Sequence, residues 1–217
     1  AMALGPRCVA REHGPPLAAP PATARNGSLA GGGRIRSGRG LQDSGGFSCV
    51  DVAYTLEFDG AATAGNGLVV FAPRNADCVG VFNATSDAFS CVSVSRRNDN
   101  YVGAATAANG LVVFAPYHAE CVGVFDAASN AFSCVDISST LSTGWKFQGA
   151  ATAANGLVVF APRNADCVGV FNAASNAFSC VDISSTLSND IKFDGAATAA
   201  NGRVVFAPIH ADCVGVF

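Results

Sequence analysis

A repeat constrains this chain more than any other feature of its sequence. The string GAATAANGLVVFAP starts at Gly103 and Gly149, and close copies start at Gly60 and Gly195, so that successive starts lie 43, 46 and 46 residues apart. A second block, ADCVGVFNAASNAFSCVDI in the third copy, follows each string, and the fourth copy stops within it. A unit that recurs at such a period is typical of proteins built from one supersecondary element packed against copies of itself.

Each repeat contains four short apolar runs separated by residues that favour turns. In the third repeat the runs are residues 150–153, 157–161, 167–171 and 178–183. Asn155-Gly156, between the first two runs, is typical of tight hairpins because both residues tolerate positive φ. Pro162 ends the second run since it cannot donate to a strand ladder, and Asn176 suits a left-handed position in the last loop. The sequence predicts a meander of four antiparallel strands in each repeat.

The second and third runs are continuously apolar rather than alternating, which predicts strands that are covered on both faces. A four-stranded sheet buried on both faces and repeated at this period is a blade of a β-propeller. Helical solenoids are excluded, because the runs are short, rich in Val and Phe, and broken by Asn-Gly and Pro. We therefore expect an all-β fold, a β-propeller of four-stranded antiparallel blades with about four blades.

The predicted organisation is a low-complexity disordered tail (1–46) followed by propeller repeats (47–217). The repeats comprise an orphan outer strand (47–52), three full blades (60–95, 103–138 and 149–184) and a partial blade (195–217). The orphan strand is the one that the partial blade lacks, so the two are expected to complete one blade by strand exchange. A closed four-blade ring, an arc of a larger ring and a larger ring completed by two chains (a dimer) are three alternatives that the residues leave open.

The order AATAANGLVVFAP…AECVGVFDAASNAF in the second copy resembles the YVTN and NHL-type propeller blade, with its strand, Asn/Asp-Gly turn, strand and Asp-x-x-Ser/Thr-Asn turn. The resemblance spans about residues 47–217. It implies the fold and carries little about function, because propellers host many activities. The chain departs from these families by using Cys twice in each blade and by lacking the Tyr-Val-Ala-Asn wording.

Charge and targeting features limit the classes of partner and the cell compartment that we expect for this protein. Residues 1–46 carry six Arg against two acidic residues, whereas the rest carries seven basic and fourteen acidic residues. Such repeats are not expected to bind nucleic acid, and no apolar stretch reaches the length of a membrane span, so a soluble protein is predicted. The tail lacks the apolar core of a secretory signal and is compatible with an organelle transit peptide, which favours the cytoplasm or an organelle. The sequons at Asn26 and Asn83 matter only in a secreted protein.

Eight of the nine Cys form pairs in the repeat pattern. The pairs are Cys78–Cys91, Cys121–Cys134, Cys167–Cys180 and, if the ring closes by strand exchange, Cys49–Cys213. Both members of a pair would lie on one side of a hairpin at a separation that permits a disulfide. The alternative, small apolar fillers between blades, is favoured because nothing in the sequence indicates an oxidising compartment. Zinc is not expected, since there is no C-x-x-C motif.

Positions that differ between the near-identical repeats mark candidate binding residues. They lie between the second and third strands and in the linkers between blades, loop types that emerge on the same face of a propeller. The candidates are Arg74, Asn75, Tyr117, His118, Trp145, Arg163, Asn164 and His210. An acid follows each of the loops between second and third strands, and the four acids are weak candidates for a cation site: Asp77, Glu120, Asp166 and Asp212. The alternative is neutral variation at exposed turns, with each acid capping its own turn.

The favoured function is a non-enzymatic binding or scaffold propeller that presents the variable loops to a protein or glycan ligand. Near-identical blades repeat the same groups and suit multivalent contacts, whereas catalysis needs unlike groups at one site. One alternative is a metal-dependent hydrolase or lactonase-like propeller, and another is a multivalent propeller lectin. The sequence contains no Ser-His-Asp set, phosphate loop or cofactor fingerprint, so no cofactor is predicted.

Overall fold

The computed structural model describes residues 35–37, 48–50, 52, 57–94 and 100–217. The chain divides into two compact units, Ala1–Asp51 and Val52–Phe217. In the first unit, β1 (Ile35–Ser37) and β2 (Ser48–Val50) form a two-stranded antiparallel sheet. The described residues include no helix with the length and hydropathy that crossing a bilayer requires.

The second unit consists of four antiparallel sheets whose strands are consecutive in the chain. Blade 1 contains β3 (Phe58–Thr63), β4 (Val69–Pro73), β5 (Cys78–Asn83) and β6 (Ala88–Ser93). Blade 2 contains β7 (Tyr101–Thr106), β8 (Val112–Pro116), β9 (Cys121–Asp126) and β10 (Ala131–Asp136). Blade 3 contains β11 (Phe147–Thr152), β12 (Val158–Pro162), β13 (Cys167–Asn172) and β14 (Ala177–Asp182), and blade 4 contains β15 (Phe193–Thr198), β16 (Val204–Pro208) and β17 (Gly215–Val216).

The blades form a four-blade β-propeller in which the first strand of each blade is innermost. The inner strands β3, β7, β11 and β15 contact one another in that order. Every residue of β8 and β12 is buried. In the outer strands β10 and β14, exposed residues alternate with half-buried ones along most of the strand. The prediction of an all-β propeller with strands covered on both faces is confirmed.

Turn and bulge chemistry explains where the strands begin and end. In blade 3, Gly156 (φ +81°) and Asn176 (φ +53°) occupy the left-handed positions that the sequence predicts for them. The first strand begins at Phe147, three residues earlier than predicted, because a β-bulge interrupts its register with β12 between Phe147 and Ala150. Gly149, with φ +103°, lies in that bulge. A bulge glycine interrupts the side-chain pattern of a strand, so the beginning of this strand was not predicted from the sequence.

An aromatic cluster fills each complete blade. In blade 3 the rings of Phe147, Phe160 and Phe178 lie with centroids 5.5 to 6.5 Å apart. They cover Gly169 in the third strand, where an added Cβ would lie only 2.7 Å from the Phe147 ring. The rings fill the space that a side chain at this position would need. Close packing of the aromatic cluster therefore requires glycine here.

Close backbone contact between glycines joins the inner strands of neighbouring blades. A Cβ added to Gly60, Gly103 or Gly149 would lie 2.6, 2.6 and 2.5 Å from the Cα of the next glycine in the series, which ends at Gly195. Around Gly195 itself, no described residue lies within 4 Å of an added Cβ. This contact therefore runs through three boundaries, from blade 1 to blade 4.

Threonine hydroxyls reinforce the same boundaries. Oγ1 of Thr106 donates to the carbonyl of Thr63 (2.6 Å), and Oγ1 of Thr152 donates to the carbonyl of Thr106 (2.7 Å). Oγ1 of Thr198 donates in turn to the carbonyl of Thr152 (2.8 Å). The chain of hydrogen bonds satisfies carbonyls that the inner edge of each sheet leaves without a strand partner.

Among the described residues, the predicted strand exchange is not formed. The strand from the 47–52 segment, β2, pairs with β1, with Cys49 opposite Arg36, and the described sheet of blade 4 has three strands. No disulfide joins Cys49 and Cys213. A local hairpin explains the difference, because pairing with a nearby strand costs less loop-closure entropy than pairing across the whole chain. The β1 strand lies inside the predicted disordered tail, and the rest of residues 1–46 lies outside the described residues.

The other three cysteine pairs form disulfides between the third and fourth strands of blades 1 to 3. The bonds are Cys78–Cys91, Cys121–Cys134 and Cys167–Cys180, with Cα atoms 5.5, 5.5 and 5.4 Å apart. In blade 1, Cys78 is opposite Ser93 and Cys91 is opposite Gly80, so the bonded residues are diagonal neighbours on one face of the sheet. The structure therefore forms the disulfide alternative in these blades rather than the favoured apolar filler.

Replacing Gly149 with Ala should destabilise the propeller far more than replacing Gly195. Both positions have positive φ (+103° and +92°), so each Ala costs about 1–2 kcal/mol of backbone strain, but only at Gly149 does the new Cβ meet a backbone atom. The clash adds about 1–3 kcal/mol. Urea unfolding of Gly149→Ala and Gly195→Ala measures the difference, and equal losses of stability would contradict the close-packing argument.

Candidate functional site

The loops between second and third strands and the linkers between blades form one end of the propeller, here called the upper face. Backbone hydrogen bonds tie the two loop types together at the blade boundaries. The amide of Lys146 in blade 3 donates to the carbonyl of Tyr117 in blade 2 (2.9 Å). The amide of Lys192 donates in the same way to the carbonyl of Arg163 (2.9 Å). Since the backbone holds this face, its side chains can differ between repeats without changing its shape.

Two buried lysines lie beneath these loops at the same position of the repeat. Lys146 is 1% exposed, and its Nζ donates to the carbonyls of Ala119 (3.0 Å) and His118 (3.3 Å). Lys192 is 0% exposed, and its Nζ forms an ion pair with Asp166 (3.2 Å). A buried ammonium group requires such acceptors, so each lysine fixes the loop of the preceding blade from below.

Four variable side chains meet at the boundary between blades 2 and 3, and they are called the aromatic–cation cluster: Tyr117, His118, Trp145 and Arg163. The Tyr117 and His118 rings lie 5.0 Å apart, and the His118 and Trp145 rings lie 6.1 Å apart, both edge to face. The guanidinium carbon of Arg163 lies 5.6 Å from the centre of the Tyr117 ring, within cation–π range. Its Nη1 donates to Oε1 of Gln148. Trp145 remains 45% exposed, so the cluster presents an aromatic surface to solvent.

Desolvation and charge shift the pKa values of His118 and of Lys146 beneath it. Burial, and to a lesser extent the positive charge of Lys146, hold the pKa of His118 below its ordinary value. Burial also lowers the pKa of Lys146, and the nearby Glu120 carboxylate partly opposes that shift. The His118 imidazole is therefore neutral at neutral pH, with one ring nitrogen that accepts a hydrogen bond and one that donates.

Two further candidate residues lie on blade 1, outside the aromatic–cation cluster. Arg74 forms an ion pair with Asp59 (3.1 Å), and Nδ2 of Asn75 donates to the carboxylate of Glu57. Arg74 and Asp59 occupy the same repeat positions as Arg163 and Gln148 in blade 3. An arginine on the upper face is thus matched by an acceptor on the inner strand of its own blade.

The remaining two candidates, Asn164 and His210, contact the linker into blade 4. Oδ1 of Asn164 accepts a hydrogen bond from the amide of Ile191 (3.1 Å), and the carbonyl of His210 accepts one from Nδ2 of Asn189 (3.2 Å). Ile191 has φ +56°, close to the +54° of its counterpart Trp145. The same backbone geometry thus presents Trp at one boundary and Ile at the next.

The four acids proposed as cation ligands are not gathered into one site. Among the described residues, the single group of three ligand-type side chains within reach of one ion is Asp77, Cys78 and Cys91. Its two cysteines are joined as a disulfide and cannot supply the thiolates that bind metals. Asp166 is ion-paired with Lys192, and the negative charge of Glu120 raises the pKa of Lys146.

Three residues of the upper face were not predicted from the sequence: Lys146, Lys192 and Gln148. A signal for the lysines was present, because they are the only two Lys in the chain and they occupy the same repeat position. Their burial could not be inferred, since lysine is ordinarily exposed. The role of Gln148 depends on its hydrogen bond with Arg163. That contact is set by strand register, which the sequence does not give.

The opposite face carries two grooves that are equivalent by repeat. The groove between blades 1 and 2 has a volume of about 270 Å³, and the groove between blades 2 and 3 has a volume of about 430 Å³. Asn109 and Asn155, from successive Asn-Gly turns, line the second groove together with Leu157 and the loop residues Asn172 and Ala174. Nδ2 of Asn109 donates to the carbonyl of Ala173 in that loop (3.2 Å).

The described fold defines a β-propeller protein, and comparison with known proteins supports the same class. No protein-family model matches the chain, and no curated protein matches its sequence. Virginiamycin B lyase from Staphylococcus aureus is similar in structure, with a TM-score of 0.68 and 13% sequence identity over 79% of this chain and 56% of that one. The resemblance at this identity concerns the fold alone.

Two other solved structures are similar. A gluconolactonase-like protein has a TM-score of 0.56 and 11% identity, and the match covers 79% of this chain and 63% of that one. An auxiliary nutrient binding protein from Bacteroides ovatus has a TM-score of 0.54 and 12% identity, with 78% and 46% covered. The chain thus spans about half to two thirds of the length of the three structures. Nothing in these matches singles out the YVTN or NHL type.

Replacing Lys146 with Met should raise the pKa of His118 part of the way towards its ordinary value, because it removes the charge but leaves the burial. NMR titration of the His118 imidazole measures the change. Lys192→Met is the matched control, since it removes an equally buried lysine one blade away and should leave the pKa of His118 unaltered. A His118 pKa that did not move in Lys146→Met would contradict the electrostatic contact.

Proposed function

We propose that the protein is a non-enzymatic binding propeller whose partner is a protein that contacts the aromatic–cation cluster. The observation that carries the proposal is the convergence of Tyr117, His118, Trp145 and Arg163 from two adjacent blades. Each of these residues differs from its counterpart in at least one other repeat, so the fold does not demand them. Trp, Tyr and Arg are the residues that dominate the binding energy of protein interfaces.

Preorganisation supports a binding role for this cluster. Arg163 is held between the Tyr117 ring and Gln148, and the carbonyl of Trp145 accepts a hydrogen bond from the amide of Asn164 (3.1 Å). The buried Lys146 fixes the loop that carries His118. Side chains and loops already ordered in the free protein lose little conformational entropy when a partner binds.

The geometry favours binding over hydrolysis. A metal-dependent hydrolase requires several ligands gathered around one ion, and the four repeat-equivalent acids are not gathered among the described residues. The names of the lyase and the gluconolactonase-like protein describe those proteins, and identities of 11–13% support no transfer of activity to this chain.

Replacing Trp145 with Ile should weaken partner binding at least about tenfold, the loss expected of an interface hot spot. The variant introduces the residue that blade 4 carries at the same position and φ, so the backbone should be preserved. Random-peptide display on the purified chain provides the ligand, and isothermal calorimetry measures its affinity for Trp145→Ile. Thr85→Ala, on the opposite face, is the control and should bind like the parent. Peptides that bind Trp145→Ile as tightly as the parent would exclude the cluster as the site.

A multivalent lectin is the second candidate, favoured by the two repeat-equivalent grooves on the opposite face. Their amides and small apolar side chains suit the hydroxyl groups and CH faces of a neutral sugar. A glycan array tests this candidate, and a positive glycan should lose one of two sites in Ala174→Trp, which fills the larger groove. A blank array, or unchanged stoichiometry in that variant, would remove the lectin hypothesis.

A further inference from the structure

We propose that Asn83 is an N-glycosylation site and that the chain folds in an oxidising secretory compartment. Asn83-Ala84-Thr85 is an acceptor sequon, and it begins the loop between β5 and β6 of blade 1. The proposal is independent of the binding function above. It assigns a covalent modification to the face opposite the aromatic–cation cluster.

The loop presents the acceptor amide in an accessible turn. Oδ1 of Asn83 accepts a hydrogen bond from the amide of Thr85 (2.9 Å), and the carbonyl of Asn83 accepts one from the amide of Ser86 (3.3 Å). Thr85 and Ser86 are exposed. Within the described part of the chain, Nδ2 of Asn83 has no hydrogen-bond partner in the structure, so the atom that carries a glycan is available.

The equivalent loops show that the fold does not require Thr85. In blade 3 the amide of Ala174 donates to Oδ1 of Asn172 (3.0 Å), and in blade 2 the amide of Ala128 donates to Oδ1 of Asp126 (2.9 Å). The same turn therefore forms with Ala in place of Thr. What Thr85 adds to the loop is the hydroxyl that completes a sequon, which neither of the other two loops contains.

The disulfides supply the second, independent observation. Three blades each carry a bond between the third and fourth strands, and Cys78–Cys91 spans the very hairpin that Asn83 caps. Each bond forms when two thiols give up two protons and two electrons to a protein disulfide oxidant of the folding compartment. Such bonds persist where that oxidant acts and are rare in reducing compartments, and secretory folding compartments are also where sequons are glycosylated.

The transfer itself balances with one co-reactant, a lipid-pyrophosphate-linked oligosaccharide. Nδ2 of Asn83 forms a bond to the anomeric carbon of the first sugar and loses a proton. The bond between that carbon and the phosphate oxygen breaks, and the lipid pyrophosphate leaves with the electron pair. The glycan then extends from a loop remote from the upper face, which stays free for a partner.

Secretion of the full chain from eukaryotic cells, directed by a cleavable leader, tests the acceptor. Asn26→Gln is included throughout to remove the other sequon. Intact-mass spectrometry before and after peptide N-glycosidase should show one N-glycan on this parent and none on Thr85→Ala, which copies the blade 3 loop. Ala174→Thr should gain a second glycan at Asn172, because it copies the blade 1 loop.

An unglycosylated parent, or a glycan retained in Thr85→Ala, would overturn the assignment of Asn83. Alkylation of the secreted chain without reductant tests separately the three disulfides from which the compartment is inferred, since their six cysteines should be protected. Alkylation at Cys78 and Cys91 would overturn the oxidising-compartment half of the proposal, whatever the glycan result.

Discussion

The propeller depends on the approach of one backbone to another at the glycines of the inner strands. No side chain lies between Gly103 and Gly149, so neighbouring blades meet at a distance that any Cβ would prevent. The positive φ of these glycines lies within the bulge of each inner strand, so the same residue bends the strand and permits the contact. This contact places blades 1 to 4 side by side, and it sets the spacing of these three boundaries on both faces. The threonine hydrogen bonds follow because the inner strands are already close.

On the upper face, the backbone contacts that hold the loops recur from blade to blade, whereas the exposed side chains differ. The backbone bonds between loops and linkers recur at successive boundaries, and the two lysines beneath them recur as well. What changes from boundary to boundary is the exposed side chain, Trp145 at one and Ile191 at the next. A repeat protein can in this way make one boundary chemically distinct without disturbing the fold, which is why unlike residues on near-identical blades point to a site.

The disulfides stabilise the propeller, and they are also the basis for the proposed oxidising folding compartment. Each joins two strands already paired in a hairpin and closes a loop of thirteen residues, so on the chain-entropy account it contributes about 3 kcal/mol. Their recurrence in three blades shows that the diagonal position is a property of the repeat. Buried free thiols, the favoured prediction, are not formed in these blades because both cysteines of each pair lie on one face of the same hairpin, within disulfide distance.

The repeat alone determined the fold class, the four strands of each blade and the turn residues, because hydrophobic pattern and turn chemistry act over a few neighbouring residues. It also selected all four members of the aromatic–cation cluster as variable positions, without showing that they meet while Arg74 and His210 lie apart. Tertiary structure decided that grouping, the burial of Lys146 and Lys192, and the pairing of Ser48–Val50 with Ile35–Ser37 instead of with blade 4. These outcomes depend on which blades become neighbours and on which strand partner costs least chain entropy, quantities set by the whole folded chain rather than by any local pattern.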